Sequence, residues 1–175
     1  CALPIWSIRA EAIDGKIYLH TTDGSVTATR LGGDIQIRSG DGTIRIDDST
    51  GKLDLETDDG SIGVEARPTV LRVRTGDGTI RANIEPDSVM ADNWEITTSD
   101  GSVTVTLPGL FNAELDAETS DGSVRATHPL LERHEDGEGD RDERRERRRT
   151  LRTKMGDGGK IFRIRTGDGT IRIER

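Results

Sequence analysis

Seven copies of one short pattern run through this chain: apolar-x-apolar-x-Thr/Ser-x-Asp-Gly-Ser/Thr-apolar-x-apolar. The Asp-Gly pairs begin at Asp23, Asp41, Asp59, Asp77, Asp100, Asp121 and Asp168. The first four are 18 residues apart, and the later gaps are 23, 21 and 47. A fixed period means that each unit is a supersecondary element burying its apolar face against the next copy. With 175 residues the chain is a single domain by length, spanning 1–175.

Composition alone points the other way. Apolar residues make up 31% and charged residues 33%, which would suit a disordered chain. The few apolar residues, however, keep strict positions relative to each Asp. Positions −6 and −4 hold Ile17 and Leu19, Ile35 and Ile37, Leu53 and Leu55, Leu71 and Val73, Trp94 and Ile96, Leu115 and Ala117, Phe162 and Ile164. Positions +3 and +5 hold Val26 and Ala28, Ile44 and Ile46, Ile62 and Val64, Ile80 and Ala82, Val103 and Val105, Val124 and Ala126, Ile171 and Ile173. Polar residues stand between them, so each unit predicts two short strands buried on one face. Ser7, Ile8 and Ala10 already occupy the places of Ser25, Val26 and Ala28, giving a leading half unit.

Asp-Gly is a hairpin signal, so an antiparallel β meander is one arrangement. The other is an all-β solenoid, a single-stranded β-helix of about seven 18-residue coils with two short strands per coil. The solenoid is favoured, because a meander of this length leaves one apolar face uncovered while a two-walled coil covers its own. The Asp-Gly pairs then become corners, with Asp bonding nearby backbone N–H groups and Gly taking positive φ. A second turn follows each unit, at Leu31-Gly32-Gly33, Ser49-Thr50-Gly51 and Arg67-Pro68-Thr69. Stacking also sets the hydroxyls at −2 (Thr21, Ser39, Thr57, Thr75, Thr98, Thr119, Thr166) in one column, where they can hydrogen-bond along the column and to the turn backbone. Outward charges alternate along the stack: Arg38, Glu56, Arg74 at −3 and Asp54, Arg72, Glu95 at −5.

These repeated turns between short strands resemble the bacterial DUF4097 and head-GIN adhesin families, over roughly residues 7–175. The resemblance implies a β-helix and an extracytoplasmic or envelope-associated role, and supplies no catalytic residue. The chain departs from it in carrying a long charged insertion at 130–150, read as a disordered loop. Glu132 to Arg149 holds eight acids and seven arginines. Segments Glu85–Asn93 and Pro108–Asn112 read as loops bulging from one edge.

The stacked Asp residues are a candidate Ca²⁺ edge, since hard cations take several oxygens. Turn chemistry explains the same residues more cheaply. Asp54, Glu56, Arg72 and Arg74 on an outer face would suit a carbohydrate-active β-helix, although alternating charge accounts for them too. His20, His128 and His134 share no motif. Trp94 and Phe162 fall on core positions, and Trp6 precedes the first unit. No catalytic, cofactor-binding or metal-binding residue is therefore assigned, and no cofactor is expected. Net charge of −8 argues against nucleic acid and anionic membranes as partners. No apolar run approaches the roughly 18 residues of a helical membrane span. Cys1 reads either as a lipid-carrying terminus or as the boundary of an N-terminally truncated piece, the latter favoured because the repeats begin at once. The expected function is a non-enzymatic, adhesin-like binding or structural module at the bacterial envelope or in the periplasm, contacting a protein or glycan. A Ca²⁺-stabilised solenoid and a carbohydrate-active enzyme are the alternatives.

Overall fold

The alternation of apolar and polar residues decides the fold. The computed structural model describes residues 7–129 and 149–175. It is all-β, with β1 (Ser7–Glu11), β2 (Asp14–Asp23), β3 (Ser25–Thr29), β4 (Gly32–Asp41), β5 (Ile44–Asp59), β6 (Ile62–Asp77), β7 (Ile80–Ile84), β8 (Trp94–Asp100), β9 (Val103–Thr106), β10 (Ala113–Ala126), β11 (Thr150–Met155) and β12 (Ile161–Glu174). Cys1, Trp6, His134 and most of the charged segment at 130–150 lie outside the described residues.

All twelve strands join one sheet. Its ladders are parallel and connect each unit to the equivalent residues of another: Ile17 pairs with Ile35, Ile35 with Leu53, and Leu53 with Leu71. Ile8 pairs with Val26, so the leading half unit is in register as well. This pairing overturns the meander. The Asp-Gly pairs are not hairpin turns, because the ladder runs straight through them. Gly42 N–H donates to the Asp59 carbonyl at 3.0 Å, and Gly60 N–H to that of Asp77 at 2.9 Å.

The glycine of this corner is fixed by its neighbour as much as by its own backbone. A Cβ on Gly60 would lie 1.9 Å from the Gly42 carbonyl oxygen, and one on Gly169 would lie 2.0 Å from that of Gly101. Backbone is stacked on backbone, and no side chain fits between. The expected Asp side-chain bonds to the corner are absent among the described residues. The hydroxyls at −2 do that work instead. They are buried, and Thr57, Thr75 and Thr166 donate to the carbonyls of Gly40, Gly60 and Gly101 on the adjacent unit at 2.8, 3.2 and 3.1 Å.

Both halves of the units point their apolar columns into one cluster, with Ile35, Ile37, Ile44 and Ile46 all fully buried and only Ala126, at the end of the stack, left out among the described column residues. Trp94 packs edge-on to Phe162 at 5.5 Å and against Phe111, from the loop before β10, at 5.4 Å. The Trp94 indole N–H donates to the Thr69 carbonyl at 3.1 Å, which satisfies its one buried polar atom.

Stacking does not follow chain order throughout. Units 1 to 5 stack in sequence, but the seventh, β12, lies between the fifth and the sixth. Phe162 pairs with Trp94 and Ile171 with Val103 on one side, while Leu115 pairs with Phe162 and Val124 with Ile171 on the other. The sixth unit, β10, is therefore the outer one. Its first half is flanked by β11 in the one antiparallel pairing among the described strands, with Asp116 opposite Arg152. Its second half ends the stack, with Val124 half-buried and Ala126 exposed. Small inward residues suit a terminal unit that covers only one neighbour.

Candidate functional site

With the apolar columns turned inward, the polar side chains form columns on two broad outer faces and along the corners. At the corners, Asp23, Asp41, Asp59, Asp77, Asp100, Asp168 and Asp121 stand in register in that spatial order. All seven are exposed. Among the described residues no group of three or more acidic, His or Cys side chains is arranged to hold a metal ion. The candidate Ca²⁺ edge is thus a column of single carboxylates rather than a cage. One member is engaged: Arg149, at the end of the charged segment, donates to Asp121 at 2.6 Å.

The outer face of the first half of each unit carries the charge lattice. Its −5 column runs Tyr18, Gln36, Asp54, Arg72, Glu95, Arg163, Asp116 and then Arg152 of β11. From Asp54 onward the sign alternates at every step. The alternation depends on the intercalated order, since chain order would set Glu95 beside Asp116. Arg152 and Arg163 both reach Asp116, at 3.1 and 3.6 Å, and Arg38 reaches Glu56 at 3.3 Å in the −3 column. Asp54, Glu56, Arg72 and Arg74 do come together here, with Arg38 and Glu95, around a shallow cavity of about 240 Å³. Each partly exposed pair contributes about 0–1 kcal/mol, so the lattice selects register and order more than it adds stability.

The face of the second half is hydroxyl-rich. Its +2 column is entirely Ser or Thr, from Ser7 and Ser25 through Thr43, Ser61, Thr79 and Ser102 to Thr170 and Ser123. Its +4 column runs Arg9, Thr27, Arg45, Gly63, Arg81, Thr104, Arg172, Arg125.

The histidines do not converge. His20 is exposed on the charge-lattice face, whereas His128 is buried with a ring nitrogen 2.9 Å from the Pro108 carbonyl oxygen. Trp94 and Phe162 are core residues, as their register requires. The exposed position of Tyr18 at the head of the −5 column went unremarked in the sequence, although its alternation with Ile17 and Leu19 places it outward.

Parallel units with inward aliphatic columns and outward polar ones define an all-β repeat protein that presents surfaces and encloses no deep cleft among its described residues. The model of the Toastrack DUF4097 family matches residues 11–174, and the chain belongs to that family. No curated protein and no solved structure matches the chain.

Proposed function

We propose that this chain is a non-enzymatic, adhesin-like binding or structural module of the bacterial cell envelope. We read its parallel stack as one solenoid domain over 1–175, with seven coils and a leading half coil, the seventh coil slotted before the sixth. The charged insertion at 130–150 is part of the same domain on this reading. One observation carries the proposal: among the described residues, chemistry-bearing side chains lie in exposed columns on the outer faces rather than gathered in a buried pocket. Such a surface suits contact with an extended partner, a glycan or protein of the envelope, better than it suits enclosing and transforming a small substrate. The net charge of −8 supports a partner other than nucleic acid.

The test is co-sedimentation of the purified chain with envelopes isolated from its source bacterium. Retention that survives washing, against a released control protein of similar size and charge, is the expected result. Full recovery of the chain in the supernatant across salt and pH would contradict the reading.

A further inference from the structure

Glycines in this fold have evident reasons to be there, with one exception. Among the described residues, each of the others either has a left-handed φ or has atoms that a Cβ would meet within 4 Å. Gly63 has neither: a Cβ there meets nothing within 4 Å. It sits inside β6 at an outward position, paired with Arg45 on one side and Arg81 on the other. Glycine weakens a strand interior and often marks a place where a ligand approaches the backbone.

The space it leaves is real. A trough of about 420 Å³ opens over Gly63, with Arg45 and Arg81 as walls and Glu65, Asn83 and Thr104 among its lining. The two arginines are two strand spacings apart, about 9.6 Å along the stack, with no side chain between them. Arg45 is held by Asp47 at 3.3 Å. Arg81, also exposed, has no ion-pair partner among the described residues.

We propose that this trough binds a carboxylated sugar unit of an acidic polysaccharide, the ring lying over Gly63 and its carboxylate on Arg81. A guanidinium matches a carboxylate in bidentate fashion. The hydroxyl, amide and carboxylate groups of Thr104, Asn83 and Glu65 match ring hydroxyls, which both donate and accept. Charge sets the class further. Arg45 is engaged by Asp47, so Arg81 is the cation left for a carboxylate, and the trough takes one acidic sugar unit at a time. The volume falls within the range of small-ligand sites. The site deepens the envelope-binding reading and rests on it.

The test uses the whole chain and isothermal titration with tetragalacturonate, with neutral maltotetraose and a tetraglutamate peptide as the other arms. The expected result is binding of tetragalacturonate in clear preference to both. Gly63→Val fills the trough with a residue suited to strands, so it should leave the melting temperature unchanged or raise it. It should also weaken binding about tenfold or more, as should Arg81→Gln. Arg81→Gln carries the test alone if Gly63→Val fails to fold. No heat with tetragalacturonate, equal binding of the peptide, or unchanged affinity in both variants overturns the assignment. Envelope sedimentation run in parallel separates the two readings. Retention with no tetragalacturonate binding sinks the trough alone, and tetragalacturonate binding with no envelope retention sinks the envelope role alone.

Discussion

The front and the rear of the stack are built from the same motif and assembled differently. Units 1 to 5 stack in chain order, each paired with the unit before it. At the rear, β12 lies between β10 on one side and β8 and β9 on the other, out of chain order. Size in the apolar columns favours the observed order, with Phe162, Ile164, Ile171 and Ile173 inside the stack and the smaller Leu115, Ala117, Val124 and Ala126 at its end. The outward charges favour it as well. Arg163 placed between Glu95 and Asp116 meets opposite sign on both sides, whereas chain order brings two acids together. A repeat protein therefore takes its cohesion from what repeats and its order from what varies between copies.

The largest effects come from the core. Ile44→Asp at the front and Ile171→Asp at the rear should each cost about 3–5 kcal/mol, because both bury a carboxylate without a partner. Val124→Asp should cost about 1 kcal/mol or less, because Val124 is only partly covered at the end of the stack. Denaturant unfolding of the three variants checks this. A unit 7 at the end of the stack would reverse the ranking of Ile171 and Val124.

A smaller effect probes the lattice. Arg163→Glu places three acids in succession and should cost about 1–2 kcal/mol at low salt, shrinking in 1 M salt. A loss that is indifferent to salt would mean that Arg163 acts through packing and not through charge. The smallest effect is Arg45→Ala, one residue from Ile44 but facing outward, which should stay within about 0.5 kcal/mol of the parent chain. A loss comparable to that of Ile44→Asp would refute the division into inner and outer columns.

Much of this was legible in the sequence, because a period of two within a period of 18 leaves little freedom. The inward columns, the buried hydroxyls at −2 and the parallel register of units 1 to 5 all follow from it. The order of units 6 and 7 did not follow, since Asp121 and Asp168 sit in equivalent motifs. The signal was present in the −5 column, but Asp54, Arg72, Glu95 continues its alternation only if Arg163 is placed before Asp116. Strand β11 lay hidden next to the charged segment, its Leu151 and Met155 too sparse to stand out. The corner Asp departs from the sequence expectation for a local reason. Turn chemistry assigned backbone bonds to its side chain, whereas the neighbouring Thr hydroxyl and the stacked Gly backbone make the corner. Gly63 does not stand out in the sequence, because the other glycines of the repeat mark turns and corners.

Intercalation of β12 can be tested directly by disulfide trapping in a Cys1→Ser background. Thr97 and Arg165 are register partners in the outward −3 column, so their Cα atoms are about 4.8 Å apart. That spacing lies within the range a disulfide spans, about 4.4–6.8 Å. Thr97 and Glu118 are separated by the intervening strand, about 9.6 Å, which is too far. The expected result is rapid oxidation of the Thr97→Cys, Arg165→Cys pair and none of the Thr97→Cys, Glu118→Cys pair. The reverse outcome would place the units in chain order and contradict the intercalated stack.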